Sequence, residues 1–432
     1  MTQKTAKPKR QVSLIIVVVA LIAALLIGSA GGYVIAPKTS SSTSGHGLSG
    51  VINIGAALPL SGQLSSYGAT AKAALTLAEN QINTALSNSK AGYSINVLFE
   101  DTQTQPDVAL TVTQDFAAKG VQVILGYYST SELSNSLNYA QTNHIVLISP
   151  ASTGLSLAID KPYIYRFVPA DDKQGPAAAT ALKSLNITYI VSIAVDSAYG
   201  NGLVNSTESA FSGLGGSADP NGISYNPNTT DFSSDVALLA QQVQTAVTTY
   251  GASHVAVYAV TYDELEDIVT VAAQYPVLSQ VQWFGSDGNS PSPGIAADST
   301  VATYLAAAPV QFEGTIFAPA TSTIQTQVAN YVQSQTGGSA DPYSFAIYDE
   351  LWVVAKTLAF TQQNSGTAIN SALPTIADQS FGASGLTQLN SFGDRSSGDY
   401  EIYQIYAVNS TAYDWKIAGS YSASTQSVTW NT

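Results

Sequence analysis

The stretch VQVILGYYSTSELSNS, residues 121–136, carries an apolar run straight into a turn crowded with neutral hydrogen-bonding groups. Val121–Leu125 is short and continuously apolar, the composition of a strand buried on both faces. From about Ser131 to Thr142 the spacing becomes helical, so Tyr127, Tyr128, Ser129 and Thr130 occupy the point where strand gives way to helix. The same succession repeats on either side. VINIGAALPL from Val51 reads as a strand, and Ala69–Leu86 has helical spacing through Ala73, Ala74, Leu77, Ala78 and Ile82. Ile95–Asp101 and His144–Ser149 supply two more strands, while Pro106 opens a helix to Lys119 from the first-turn position that proline favours. Strands alternating with helices of this length predict a parallel sheet covered on both faces.

The rhythm restarts after Tyr165–Gly175. A helix over Pro176–Leu185, a strand from Tyr189, helices near Leu203–Phe211 and over Phe232–Tyr250, and a strand from His254 follow in order. VQWFGSDGNS (281–290) and GTIFAPA (314–320) continue this second sheet. The expected class is α/β, with two Rossmann-like lobes of parallel strands and flanking helices facing each other across a cleft. A chain of 432 residues is long enough for two compact cores. In such sheets ligands bind outside the carboxyl ends of the strands, which is where the turn at 127–130 falls.

Charged residues make up only 10% of the chain, so Ser, Thr, Asn, Gln and 24 tyrosines carry most of its polar chemistry. Lys4, Lys7, Lys9 and Arg10 precede the uncharged stretch Gln11–Pro37, which is continuously apolar from Leu14 to Ile27. Residues 1–37 are therefore expected to form a signal anchor that crosses the membrane, basic end in the cytoplasm; the small residues Gly28–Ala30 make a cleaved secretory signal the alternative. Either arrangement puts the rest outside the cytoplasm. Residues 38–50, KTSSSTSGHGLSG, read as a flexible Ser/Gly linker. All 29 acids but only 10 of the 15 bases lie beyond residue 38, and an exterior this acidic argues against nucleic acid and anionic surfaces as partners. With no cysteine, disulfides, thiolate catalysis and thiolate-bound metals are ruled out. Asn186, Asn205, Asn228 and Asn409 each head a glycosylation sequon with Thr two positions on.

Several loops after predicted strands carry ligand chemistry. Pro59–Gly68, Gly126–Glu132 and Ser149–Gly154 place hydroxyls and backbone N–H groups ahead of helices, whose N-termini favour a small carboxylate without need of arginine. Asp196–Gly202 and Gly285–Ser290 offer Tyr199 and the carboxylate of Asp287, suited to an ammonium. An anion-favouring wall opposite an acid describes a site for a zwitterion.

From about Val51 onward the chain resembles the type I periplasmic binding proteins of the branched-chain amino-acid (Leu/Ile/Val) ABC-transporter family. The resemblance is carried, in family order, by GAALPLSGQLSSYG (55–68), FEDTQTQP (99–106), VILGYYSTS (123–131), ISPASTG (148–154), YRFVPADDKQGPAAA (165–179), DSAYGNG (196–202) and PYSFAIYDELWVVAKTL (342–358). It implies a three-strand hinge, with lobe 1 formed by 51–169 plus 320–388 and lobe 2 by 170–319 plus 389–432. It further implies that Tyr67 lies over the ligand, that Ser129, Thr130, Ser152 and Thr153 bind the ligand carboxylate, that Tyr199 and Tyr262 line the second lobe, and that Asp287 receives the α-ammonium. Tyr127 and Tyr128 depart from a purely aliphatic site by adding bulk and polarity. The implied ligand is an amino acid, branched-chain or otherwise aliphatic. The implied partners are the permease and ATPase subunits of an importer, and no cofactor is called for.

Enzyme readings find little footing. SNSK at 87–90 matches an SxxK pattern but sits at a helix end with no companion motif. His46 lies in the linker and His144 and His254 lead strands, so neither a metal site nor a Ser/His/Asp triad assembles. Asp171 and Asp172 read as an interlobe crossover, and Asp263–Asp267 as a solvated helix start. A sensor ectodomain for an amide, urea-like or amino-acid ligand is the alternative function. A surface-coat protein would bind no ligand.

Overall fold

The computed structural model describes residues 47–431. The predicted anchor, His46 and most of the linker lie outside the described residues; within these, no helix is long and apolar enough to cross a membrane.

Five parallel strands form the first sheet: β1 Gly50–Leu58, β2 Tyr93–Asp101, β3 Val123–Gly126, β4 Val146–Ser149 and β5 Ile164–Arg166. Their order is β2-β1-β3-β4-β5. Every residue of β3, β4 and β5 is buried, which is why these segments are short, apolar and free of alternation. The chain leaves β3 tightly. Gly126 has φ +113°, and a Cβ on it would lie 2.0 Å from the Ala57 carbonyl oxygen, so only glycine lets β3 run this close to β1.

The second sheet starts with β6 Tyr189–Val195, β7 Ser217–Ala218, β8 Ile223–Tyr225, β9 Val255–Val260, β10 Gln282–Gly285 and β11 Glu313–Phe317, all parallel. An antiparallel ribbon, β12 Tyr400–Ala407, β13 Tyr413–Ser422 and β14 Ser427–Trp430, extends it beyond β11. Both sheets are flanked by helices, as the alternation predicts.

The chain crosses between the lobes three times. It leaves the first sheet after β5. After β11 it returns to lay helices Thr323–Thr336 and Pro342–Thr361 against helix Ser65–Asn88, with Gly366–Asp378 beside them, and it re-enters the second sheet at β12. A buried ionic cluster braces these crossings. Asp394 accepts from Arg166 at 2.7 and 2.6 Å and from Lys161 at 2.7 Å, with all three side chains fully buried. Arg166 also donates to the carbonyls of Ser152 (3.2 Å) and Gly154 (2.8 Å), so the hinge pair holds a cleft loop from behind.

Three helix starts differ from the sequence reading. The first helix begins at Ser65 rather than Ala69; Gly68, whose Cβ would meet the Pro59 carbonyl oxygen at 2.1 Å, lets it start directly against that turn. Asp171 and Asp172, read as a crossover, are the first turn of helix Asp171–Ser184, where acids complement the helix dipole, and Pro176 lies inside that helix. Helix Ala198–Gly213 begins five residues before the expected Leu203, capped by the Ser197 hydroxyl on the Gly200 N–H. Ser87 and Lys90 are exposed at a helix end, as are His144 and His254 in their connections. The four sequon asparagines are exposed as well.

Candidate functional site

The loops at the carboxyl ends of β1, β3 and β4 meet those after β6, β9 and β10, with the start of helix Pro342–Thr361 closing one side. Of the residues singled out in the sequence, Tyr67, Thr130, Ser152, Thr153, Tyr199, Tyr262 and Asp287 are all buried at this junction. Asp287 is its centre. Its carboxylate accepts from Tyr199 at 2.7 Å, from Tyr343 at 2.6 Å and from Thr153 at 3.3 Å, and its carbonyl accepts from Tyr67 at 3.5 Å. Tyr199 stacks on Tyr262, ring centroids 5.5 Å apart and planes 11° from parallel. The two lobes are thus in contact, and the space among Tyr128, Thr130, Tyr199, Tyr262, Asp287 and Tyr343 admits about one water molecule.

The first-lobe wall is built by hydroxyls that satisfy one another. Thr130 Oγ1 accepts from the Ser152 hydroxyl at 3.2 Å and from the Gly154 N–H at 3.0 Å, which leaves its own O–H free to donate. Thr130 is also the first residue of helix Thr130–Thr142, so first-turn N–H groups without helical partners stand beside that hydroxyl. This end of the cleft suits a carboxylate. Ser129 does not contribute its hydroxyl. It donates to Glu132 Oε2 at 2.8 Å and accepts from the Glu132 N–H at 3.2 Å, while the Ser129 N–H donates to Glu132 Oε2 at 2.8 Å, completing a reciprocal capping box that fixes where the helix starts.

Tyr127 departs from the expectation too. Left-handed backbone at Tyr127 (φ 59°) sends its ring away from the cleft, where its hydroxyl pairs with Thr113 at 2.7 Å, and only Tyr128 lines the cavity. The acidic run 263–267 is not a simple solvated helix start. Glu264 is buried and accepts from the Tyr262 N–H at 3.0 Å and from the Tyr225 hydroxyl. Asp263 bridges the lobes: it accepts from Ser292 at 2.6 Å and from Ser66 at 3.1 Å, and its N–H donates to the Gln63 carbonyl at 3.0 Å. Each of these acids finds hydroxyl or N–H donors that helix spacing alone does not reveal.

The electrostatics are one-sided. Burial raises the pKa of Asp287 above the ordinary carboxylate value, with the hydroxyl donors opposing that shift. Asp171 is fully buried with no protein partner on either carboxylate oxygen, and burial followed by the charge of Asp287 holds it well above its usual value. No lysine or arginine lines the cavity. With no basic side chain in the lining, the Asp287 carboxylate favours a cationic group at this end, opposite the donors of Thr130. The described residues contain no cluster of ligating side chains suited to a metal ion.

Sequence reasoning passed over Asp171, Tyr343 and Asp341. Asp341 caps helix Pro342–Thr361 by accepting the Ser344 N–H at 2.9 Å, and accepts from Thr70 at 2.6 Å. That cap and Pro342 put Tyr343 in the first turn, pointed at Asp287. The signal was the Asp-Pro-Tyr order at 341–343, a helix start with an aromatic at its tip.

An uncharacterised protein of Methanocaldococcus jannaschii is 27% identical to this chain over 415 residues, covering 91% of the chain and 94% of the relative. A leucine-binding protein of Thermotoga maritima superposes with a TM-score of 0.71 at 18% identity, covering 87% of this chain and 99% of that one. A solute-binding protein of an ABC transporter from Rhodopseudomonas palustris, solved with 3,4-dihydroxybenzoic acid, gives a TM-score of 0.68 at 16% identity, covering 86% and 98%. The fold is that of the type I periplasmic binding proteins, in agreement with the resemblance read from the sequence. The receptor family ligand binding region matches residues 70–406, and with most of its length inside that match the chain belongs to the family of receptor ligand-binding regions.

Proposed function

We propose that this chain is the extracytoplasmic substrate-binding component of an ABC importer, that it captures an amino acid between its lobes, and that residues 1–37 tether it to the membrane. The observation that carries the reading is the opposition of Asp287 to Thr130: a buried acid faces a hydroxyl donor at a helix N-terminus. An α-ammonium replaces the phenol and threonine donors now on Asp287, and the α-carboxylate takes the Thr130 hydroxyl with the first-turn N–H groups. Asp171, buried near Asp287 with no hydrogen-bond partner on its carboxyl, stands as a second acid behind it. Among structural relatives, one is a leucine-binding protein and another was solved with an aromatic acid. The buried Asp287 carboxylate favours the first kind of ligand, because a bare carboxylate brings no cation to meet it.

In this role the lobes part to admit the ligand and close over it, excluding water. The permease and ATPase are separate subunits, and this chain contributes capture rather than catalysis. The test is a thermal-shift and calorimetric screen of the full chain against amino acids, amides, aromatic acids and sugars. A ligand at 100 times its Kd stabilises a protein by about 2.7 kcal/mol, well within detection. Binding confined to sugars or aromatic acids would overturn the amino-acid reading.

A further inference from the structure

Two cleft tyrosines, Tyr128 and Tyr262, make no hydrogen bond through their hydroxyls, and of these only the Tyr128 hydroxyl is buried from solvent. Tyr199 and Tyr343 donate to the Asp287 carboxylate, and Tyr67 to its carbonyl. The Tyr128 side chain lines the same cavity, its residue only 3% exposed, yet its hydroxyl has no hydrogen-bond partner. Its ring stands edge-on to Tyr343 at 6.0 Å between centroids, so packing holds it in place. Burial, with the charges of Asp341 and Glu350 nearby, keeps the phenol firmly protonated. A rigid, neutral hydroxyl that both donates and accepts is therefore buried at the first-lobe wall.

The rest of the wall contributes few aliphatic side chains. Leu64 and Ala151 are the aliphatic residues of the lining, and the rest is four tyrosines with Thr130, Asp287 and Gly288. The geometry points to Tyr128 as the specificity-determining residue, reading a hydroxyl or amide on the ligand's side chain, so that the ligand is a polar uncharged amino acid and not an aliphatic one. This deepens the amino-acid reading and rests on it. A buried hydroxyl left unpaired by an aliphatic ligand keeps its desolvation cost, whereas a ligand that pairs it recovers that cost. Sites built to hydrogen-bond a ligand group discriminate strongly against analogues that lack it.

Isosteric ligand pairs test the assignment. Calorimetry on the full chain compares threonine with valine and asparagine with leucine, in wild type and in Tyr128→Phe, with thermal unfolding to check that the variant is folded. Wild type is expected to prefer the polar member of at least one pair by about tenfold or more, and Tyr128→Phe to bring the two members within about threefold of each other. Wild type binding valine and leucine as tightly as their polar isosteres would overturn the assignment. So would a Tyr128→Phe protein that keeps the full preference, since the hydroxyl would then be satisfied within its own lobe. Either result leaves amino-acid capture standing; that reading fails separately, if no amino acid binds and another ligand class does.

Discussion

The carboxylate of Asp287, on the second lobe, accepts a 2.6 Å hydrogen bond from the hydroxyl of Tyr343, at the tip of a helix packed on the first. The residue expected to hold the ligand's ammonium is thus also a bond between the lobes. Closure and ligand capture converge on one side chain. Asp287→Asn keeps the shape of the group and removes its charge. It is expected to weaken amino-acid binding by about tenfold to about hundredfold, because a hydrogen bond to a charged group contributes roughly 1.5–3 kcal/mol. Thr130→Ala leaves the ligand carboxylate its N–H donors and should cost about fivefold. Calorimetry on the three proteins decides, and an Asn variant with undiminished affinity would take Asp287 out of the site.

At the hinge, Asp394 is the shared acceptor for Arg166 and Lys161, and no other carboxylate of the described residues forms an ion pair with either. Burial lowers the pKa of Lys161 to about 8, against the opposing charge of Asp394. Asp394→Ala leaves two cations in the interior without their partner, and breaking a buried pair in this way costs about 3–5 kcal/mol. Glu100→Ala, which removes the exposed partner of Lys119, should change stability by about 1 kcal/mol or less. Urea unfolding of both variants gives the comparison. Equal, small losses would mean the hinge cluster is not structurally important.

Stability should rise as pH falls from 8 to 5. Burial is the main cause that pushes Glu264, Glu313 and Glu401 up to about 7 and Asp341 up to about 6. Unfolded, these groups titrate near their ordinary values of about 4. Between those limits the folded chain binds more protons than the unfolded one, so stability falls as pH rises through the window. Ligand affinity runs the other way, since protonating Asp287 removes the charge that holds an ammonium. Calorimetric melting of ligand-free protein should give a higher Tm at pH 5 than at pH 8. A Tm no higher at pH 5 than at pH 8 would contradict the assignment of these buried acids.

The fold was legible because each parallel strand is a short apolar run followed by a helix, as with Val121–Leu125 before Thr130–Thr142. Side-chain direction at the site was less so. Tyr127 and Tyr128 are adjacent and chemically alike, and which of them faces the cleft depends on a left-handed φ at Tyr127 that no spacing pattern announces. The commitment of Ser129 was visible in principle, since Ser-x-x-Glu at 129–132 is a capping box. Asp171 reads in the sequence as part of an interlobe crossover, because a pair of acids gives no local sign of being buried. Tyr343 reaches Asp287 from a helix on the other lobe, so only the three-dimensional path of the chain brings the two together.

Asp263 supplies the last expectation. With Ser66 and Ser292 on its carboxylate and Gln63 on its N–H, it fastens the two lobes through bonds that involve none of the groups expected to touch ligand. Gln63 adds a second tie by donating to the Pro227 carbonyl at 2.9 Å. A clasp of this kind stabilises the closed arrangement whether or not the cleft is filled, so it should raise affinity by lowering the cost of closure. Asp263→Ala removes the acceptor for both serines. The ligand-free variant is expected to show a larger radius of gyration by small-angle scattering than ligand-free wild type, and saturating ligand should bring the two together. Affinity should fall mainly through faster dissociation, measured by stopped-flow tyrosine fluorescence. Identical scattering and dissociation rates in the two proteins would show that Asp263 only packs the cleft rim and has no part in holding the lobes closed.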